Sequence, residues 1–169
     1  ASFAPEAVVY VEPRPAGADG EEGKPAAEEA GGAAYSAQRL PVSLPTSKPN
    51  LDKANPKLGV GLIEWSCAGR YVATRNDNMP RALWVWEVVG GLRALLVQTS
   101  AVRACSWHPT KPLLALCTGT SKVYIWSPRG CRVAPLPADR TSFKVVHVSW
   151  NSTGDALILA DKGAHPPPP

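Results

Sequence analysis

Cys105 and His108 are the residues of this sequence that come nearest to a catalytic pair, because a histidine beside a cysteine can activate the thiolate as a nucleophile. They stand three positions apart across the end of a predicted strand, a spacing that does not bring the two side chains face to face. His147 lies on another predicted strand, within its alternating pattern of residues, and His165 lies in a proline-rich tail. We therefore expect no catalytic residues and predict that the chain is not an enzyme.

Metal and nucleotide chemistry are not predicted either. The sequence has no GxxxxGK[ST] or GxGxxG stretch that would bind phosphates. The cysteines lie 38, 12 and 14 positions apart, without a Cys-x-x-Cys pair to hold zinc: Cys67, Cys105, Cys117 and Cys131. We favour reduced thiols of a cytosolic protein, with disulfides as the alternative. We predict no cofactor and no metal ion.

The elements that could position a site are concentrated in the second part of the chain. Residues 1–57 hold eight of the 18 prolines and the run AGADGEEGKPAAEEAGGAA, a composition typical of a low-complexity, mostly disordered segment. Residues 58–162 are predicted to fold, and residues 163–169 form a proline tail. All six tryptophans lie beyond residue 57, with 12 basic and six acidic residues that give this part a net charge of +6.

The net positive charge of the second part of the chain limits the classes of partner that we expect. A basic surface favours acidic partners such as tubulin tails or nucleic acid. The basic residues are scattered singly rather than clustered, so we favour protein partners and keep association with nucleic acid or a ribonucleoprotein complex as the alternative. No segment approaches the ~18 consecutive apolar residues of a membrane span, and the first residues do not resemble a signal peptide. We expect neither a membrane partner nor a small-molecule substrate.

Tryptophans recur at a fixed period. Trp65, Trp107 and Trp150 are separated by 42 and 43 positions, and each is followed by a turn-forming stretch, SCAGR, HPTKP or NSTGD, and a second apolar run. Trp86 and Trp126 end the third runs, ALWVWEVV and SKVYIWSP, and fourth strands are predicted at LRALLVQ and CRVAPLP. We predict that these five tryptophans form the core of the repeats.

The stretch SWHPTKPLLALCTG followed by KVYIWS resembles a WD40-type repeat. The resemblance implies an all-β fold, a partial β-propeller of about two and a half blades of four-stranded antiparallel sheet at residues 58–99, 100–141 and 142–162. A closed propeller needs about 4–8 blades, so we expect the chain to be part of a longer propeller protein. A truncated product without a stable fold is the other possibility.

The resemblance also implies a hydrogen-bonded network of His, Ser or Thr, Asp and Trp within a blade. Thr74, Asp77 and Trp86 would supply three members in the first repeat, and Asp161 would supply the turn aspartate of the third.

A partner-binding loop is predicted at RNDNMPR, residues 75–81. Arg75, Asn78 and Arg81 are its candidates for contact with an acidic or helical partner segment, and a merely solvated turn is the alternative. Trp84 breaks the tryptophan register, so we expect its side chain to face outward and include it among the candidates for partner binding.

Residues 40–162 and the first dozen residues are more specifically similar to centrosomal WD-repeat proteins, with ATRNDN and WVWE as the most distinctive stretches. This similarity implies a non-catalytic scaffold of the centrosome and spindle pole in the cytoplasmic cytoskeleton. The implied roles are microtubule anchoring, spindle organisation and cilium assembly. The implied partners are a coiled-coil protein of the SSX-interacting type and microtubule-associated proteins.

Overall fold

The computed structural model describes residues 7–13, 35–39, 42–137 and 142–161, and the described chain is all β. The strands form three sheets. Sheet A holds β1 (Val8–Val11), β2 (Ser36–Arg39), β3 (Val60–Trp65), β4 (Tyr71–Asn76), β5 (Ala82–Glu87) and β6 (Gly91–Val97). Sheet B holds β7 (Ala104–Trp107), β8 (Leu114–Cys117), β9 (Lys122–Ser127) and β10 (Gly130–Pro135), and sheet C holds β11 (Val145–Trp150) and β12 (Leu157–Asp161).

Sheets A and B are built from the predicted four-stranded unit. In sheet A the spatial order is β2-β1-β6-β5-β4-β3, and in sheet B it is β10-β9-β8-β7. Consecutive strands of each unit pair antiparallel, and sheet C has two antiparallel strands within the described residues. The predicted all-β architecture, with two four-stranded units and an incomplete third, is confirmed.

β1 and β2 lie within the N-terminal segment predicted to be mostly disordered, and residues 8–11 and 36–39 of that segment are strands of sheet A. β1 pairs parallel with the outer edge of β6, from Val8 opposite Ala94 to Val11 opposite Val97, and β2 pairs antiparallel with β1. Val9 is fully buried. The sequence VVYV suits a strand paired on both sides, between β2 and β6, because β-branched and aromatic residues pack well on a pleated surface.

The remaining predictions for the chain ends stay predictions. Residues 1–6, 14–34, 40–41, 138–141 and 162–169 lie outside the described residues, and they include the whole run AGADGEEGKPAAEEAGGAA and the proline tail. Residues 42–57 are described and contain no strand.

The three sheets stack face to face around two apolar layers. The face of sheet A that meets sheet B, called here the near face, carries Tyr71, Ala73, Val85, Ala94 and Leu96. The opposite side of sheet A is called the far face. The layer between sheets B and C contains buried residues of both: Ala115, Cys117, Val123, Val145 and Val148. Burial of these side chains is the main stabilising term of the stack.

The turn after each register tryptophan is closed by the side chain of the next residue. Ser66 accepts a hydrogen bond on Oγ from the Tyr71 amide at 3.0 Å. His108 accepts on Nδ1 from the amides of residues 110 and 111, and Asn151 accepts on Oδ1 from the amides of residues 154 and 156. Three different side chains thus accept hydrogen bonds at equivalent positions of the repeats. Each satisfies backbone amides that the strands leave unpaired.

Gly154 gives a test of how sheets B and C fit together. Its φ is 77°, and a β-carbon there would collide with the imidazole ring of His108, which packs on Trp150 with ring centroids 4.8 Å apart. Gly69 has a similar φ of 64° but faces open space, so Gly69→Ala measures the backbone cost alone. We expect Gly154→Ala to lower the free energy of unfolding by about 1–3 kcal/mol more than Gly69→Ala. Equal losses in urea unfolding would show that the two sheets do not meet there.

Candidate protein-interaction surfaces

An aromatic cluster joins sheets A and B. Trp107 of sheet B stacks on Tyr71 of sheet A, with ring centroids 6.1 Å apart and planes at 13°, and Trp126 meets both rings edge to face. The Trp107 Nε1 donates to the backbone carbonyl of Glu64 at 2.9 Å. Trp107 and Trp126 are 8% and 1% exposed. The cluster fixes the relative position of the sheets, because each ring has one preferred orientation against its neighbours.

Trp65 departs from the predicted core set, since 58% of it is exposed. It stands in the register of Trp107 but on the far face of sheet A, opposite Val72 in the β3–β4 ladder, where none of the described sheets packs. Trp86 and Trp150 are half-buried. Spacing therefore predicts which face a tryptophan occupies, and the burial of that face depends on a neighbouring sheet.

The predicted hydrogen-bond network is present as one contact. Trp86 Nε1 donates to Thr74 Oγ1 at 2.8 Å. Asp77 is paired instead with Arg75, whose Nη2 lies 2.9 Å from Asp77 Oδ1. Asp161 is the last residue of β12 and lies opposite Val145, away from this contact. The structure therefore does not bring Asp77 to Trp86, and the role predicted for Asp161 in the third repeat stays a prediction.

The predicted partner loop is turned largely inward. The Arg75 side chain is only 15% exposed and donates from Nη1 to the Val102 carbonyl at 2.6 Å, so it ties sheet A to the segment leading into sheet B. Asn78 is held by the chain itself, because its carbonyl accepts from the Ser47 amide at 2.7 Å and its Nδ2 donates to the Ser47 carbonyl at 3.3 Å. Arg81 is exposed. Of the three loop candidates, Arg81 alone is exposed, and its contact with a partner stays a prediction.

Trp84 was predicted to face outward, but its side chain is largely covered. It is half-buried on the far face of sheet A and packs against a cluster that includes Val9 of β1, Leu95 of β6 and Val42 and Leu44 of the coil before β3. The N-terminal residues, which local sequence reasoning treated as a separate segment, supply this cover.

A buried carboxylate links the N-terminal strand to both large sheets. Glu12, directly after β1, is 4% exposed. Its Oε2 accepts from the amide and hydroxyl of Thr99 at 2.9 and 2.7 Å, and its Oε1 accepts from the Tyr124 hydroxyl at 2.6 Å. Lys122 Nζ lies 3.5 Å from Oε1. We call this set, Glu12, Thr99, Lys122 and Tyr124, the Glu12 clasp.

The contacts within the Glu12 clasp shift the pKa values of Glu12 and Tyr124. Burial alone would raise the pKa of Glu12, but hydrogen bonds from Tyr124 and Thr99, with the Lys122 charge, outweigh it and hold the pKa below its ordinary value. Burial and the hydrogen bond to Glu12 raise the pKa of Tyr124 to about 12. The carboxylate form of Glu12 is therefore the form that the fold stabilises.

A groove opens between sheets A and B at the end where the β3–β4 and β7–β8 turns lie. It has a volume of ≈290 Å³ and runs from the turn at Ser66–Arg70 to Pro112 and Pro128. Three cationic side chains and one carboxylate line it: Arg70, Arg93, Lys111 and Glu87. We call this feature the inter-sheet groove. It lies at the opposite end of sheet A from the predicted loop at residues 75–81, because that loop follows β4.

The residues considered for chemistry are placed apart. Cys105 is buried in the layer between sheets A and B, where burial raises the pKa of its thiol, while His108 packs on Trp150 of sheet C. All four cysteines are free thiols. Within the described ranges, no group of three His, Cys, Asp or Glu side chains could hold a metal ion, and no helix is long and apolar enough to cross a membrane.

Comparison with known proteins gives one curated relative with substantial identity. The chain is 45% identical over 123 residues, 72% of its length, to the mouse (Mus musculus) WD repeat-containing protein WRAP73. The chain belongs to the WD-repeat family. It spans about a quarter, 26%, of the length of this relative. No family model matches the chain.

Among solved structures, the WD-repeat chain is similar to a chain of the mitotic checkpoint complex crystal structure. The TM-score is 0.47 at 19% identity, with 66% of this chain and 35% of that chain covered. Because the chain belongs to the WD-repeat family, we assign sheets A and B as two WD-repeat blades and the two described strands of sheet C to a third. Members of the family are generally non-catalytic scaffolds.

Several residues that shape this WD-repeat chain were not found from sequence. Glu12 gave no signal, because its partners lie 87 and 112 positions away along the chain. The turn acceptors Ser66, His108 and Asn151 had one available signal, a polar side chain directly after each register tryptophan. The inter-sheet groove combines residues from five separate stretches, which no local pattern links.

The hydrogen bond between Trp86 and Thr74 predicts a modest stability effect. Thr74→Val keeps the shape of the side chain and removes the acceptor for the indole N–H. We expect the free energy of unfolding to fall by about 0.5–1.5 kcal/mol, measured by urea denaturation. Thr46→Val, in exposed coil, is the matched control and should change it little. Equal stability of Thr74→Val and wild type would show that this remnant of the network does not stabilise the blade.

Proposed function

We propose that this chain is part of a non-catalytic protein-interaction scaffold of the centrosome and spindle pole. In this role it supports microtubule anchoring, spindle organisation and cilium assembly. A coiled-coil protein of the SSX-interacting type and microtubule-associated proteins are the proposed partners. The observation that carries the proposal is the 45% identity to a WD repeat-containing protein over 123 residues, together with the similarity of residues 40–162 to centrosomal members of the family.

The geometry supports a platform rather than a catalyst. The blades are joined by buried aromatic rings and by the Glu12 clasp, so their turns are carried on a rigid support. Binding residues on loops above a rigid scaffold are the usual arrangement of an interaction domain. Arg81 and the inter-sheet groove lie at opposite ends of sheet A, so the scaffold offers two separate edges to partners.

Localisation tests this proposal directly. The chain, fused to a fluorescent protein, is expressed in cultured mammalian cells and imaged with a centrosome marker through interphase and mitosis. We expect foci at the centrosome and spindle poles, and co-precipitation of a coiled-coil partner that resists nuclease treatment. Trp126→Ala, which removes a buried ring of the blade interface, should lose both. Diffuse distribution of the wild-type chain would contradict the proposal, and nuclease-sensitive association would favour the nucleic-acid alternative.

A further inference from the structure

We propose that the inter-sheet groove binds an extended, carboxylate-rich segment of a partner protein. This inference rests on the proposed scaffold function and names the chemistry of one of its partners. The groove is a better candidate than the loop at residues 75–81, where Arg75 and Asn78 are already engaged within the chain.

The charges around the groove are unbalanced. Glu87 is the single carboxylate among the lining residues, and Arg70 occupies it, with Nη2 2.7 Å from Oε1. Within the part of the chain that the structure describes, neither Arg93 nor Lys111 has a carboxylate within ion-pair distance. Two positive charges on opposite walls of the groove therefore lack a counter-charge, which an acidic segment would supply.

The two cations are presented differently, and this difference favours a segment that crosses the groove. Arg93 reaches from β6 of sheet A and donates weakly from Nη2 to the Pro128 carbonyl of sheet B at 3.4 Å. Lys111 is exposed in the β7–β8 turn, and its own backbone amide, not its side chain, closes that turn through His108. A ligand carboxylate can thus meet Lys111 in solvent and a second one can meet Arg93 at the joint between the blades.

The apolar part of the lining suits short side chains between the acidic ones. Ala68, Pro112 and Pro128 provide rigid apolar surface without a deep cavity. The volume of ≈290 Å³ lies at the small end of ligand sites, which run from about 300 to 1,000 Å³. An extended peptide that places one or two side chains in the groove fits this size better than an enclosed small molecule.

Nucleic acid fits the groove less well. Single strands bind where aromatic faces are available for base stacking and where cations follow the backbone in a row. The aromatic lining residue, Tyr71, is 3% exposed and packed under the Trp107 ring. The groove has three cationic side chains, which lie on separate turns and strands rather than in a row. One of them, Arg70, is already paired with Glu87.

The test uses the full 169-residue chain and fluorescence anisotropy. The probe is a fluorescein-labelled octapeptide, Gly-Glu-Leu-Glu-Asp-Ala-Glu-Gly, and a second peptide with Gln and Asn in place of the acids is the uncharged control. We expect the acidic peptide to bind and the amide peptide to bind at least tenfold more weakly. Lys111→Glu should weaken the acidic peptide about tenfold, since it replaces an attractive charge by a repulsive one. Arg93→Gln, which can still donate to the Pro128 carbonyl, should weaken it less.

Lys144→Glu is the matched control, because it makes the same change of charge at an exposed site before sheet C. It should leave binding unchanged, and near-ultraviolet circular dichroism should show that every variant keeps the wild-type fold. Equal weakening by Lys111→Glu and Lys144→Glu, or no binding of the acidic peptide, would overturn the groove site. So would displacement of the peptide by a labelled single-stranded oligonucleotide that binds more tightly. Centrosomal foci formed by a wild-type chain that does not bind the acidic peptide in vitro would refute the groove and leave the scaffold function standing.

Discussion

Trp107→Ala should lower the free energy of unfolding by about 3–5 kcal/mol, the loss typical of removing a buried aromatic side chain. Trp107 is 8% exposed, stacks on Tyr71 and gives its indole N–H to the Glu64 carbonyl. Alanine would leave a cavity between the blades and an unpaired carbonyl on β3. Because single domains are stable by only about 5–15 kcal/mol, we expect the variant to unfold at a much lower urea concentration.

Trp65→Ala is the matched control, since Trp65 occupies the same repeat position one blade earlier. It is 58% exposed, and surface substitutions usually change stability by less than about 0.5 kcal/mol. Urea unfolding followed by circular dichroism compares the two variants without dependence on the number of remaining tryptophans. Similar losses for both would mean that sheets A and B are not packed as described.

Glu12→Gln should loosen the N-terminal strand and lower the free energy of unfolding by about 1–3 kcal/mol, the cost of a buried polar group left without a suitable partner. Both carboxylate oxygens of Glu12 accept hydrogen bonds, from Thr99 and from Tyr124. The amide nitrogen of Gln can only donate, so one of these donors would face another donor. Glu12→Ala, which leaves Lys122 and Tyr124 without the carboxylate, should cost more, about 3–5 kcal/mol.

The contribution of the clasp should also depend on pH. The pKa of Glu12 is lower in the fold than its ordinary value of 4.5, so the unfolded chain binds a proton more readily. The stabilisation is therefore fully present above the unfolded pKa and is lost as the pH falls through the lower, folded pKa. Urea unfolding at pH 7 and at points below 4.5 should show the difference between wild type and Glu12→Gln shrinking as the pH falls.

Glu64→Gln, an exposed position on β3, is the control for the loss of a carboxylate. It should change stability little at either pH. A constant difference between wild type and Glu12→Gln across this range would contradict a buried, ionised carboxylate at position 12.

The repeating part of the fold could be predicted because residues that are close together in the sequence specify each strand and turn. The 42-residue tryptophan period placed β3, β7 and β11, and the apolar runs after each turn placed the strands that follow. A hairpin needs only neighbouring residues, so a pattern of apolar runs and turn residues is sufficient to specify it. The same pattern could not predict that Trp65 is exposed. The register assigns a side chain to one face of the sheet, but it does not show whether another sheet packs on that face.

The non-local contacts could not be predicted. β1 is a four-residue run that pairs with β6 more than 80 positions away, and a short strand of this kind is indistinguishable from an apolar patch in a disordered segment. Arg75 looked like a solvated loop residue because charge usually means exposure, yet its guanidinium pairs with Asp77 and bonds the Val102 carbonyl. Trp84 was expected to face outward because it breaks the tryptophan register, and its cover comes from distant residues, Val9, Val42 and Leu44.

A scaffold in which N-terminal residues cover and clasp two blades differs from independent blades joined by a tail. The Glu12 clasp contacts Thr99 between the blades and Tyr124 within sheet B, so β1 joins sheet A to sheet B as well as extending sheet A. The inter-sheet groove lies at the other end of the interface between sheets A and B, where Tyr71 of the aromatic cluster is one of its lining residues. The geometry of the groove therefore depends on the aromatic cluster.

Hydrogen–deuterium exchange of the 169-residue chain at neutral pH, read by mass spectrometry, tests this architecture most directly. The account predicts slow exchange in β4, β5, β8 and β9, and slow exchange also at residues 8–11, with residues 8–11 becoming fast in Glu12→Gln while the blades stay protected. Exchange at the rate of an unstructured peptide at residues 8–11 of the wild-type chain would contradict the account, as would uniformly fast exchange in the blades.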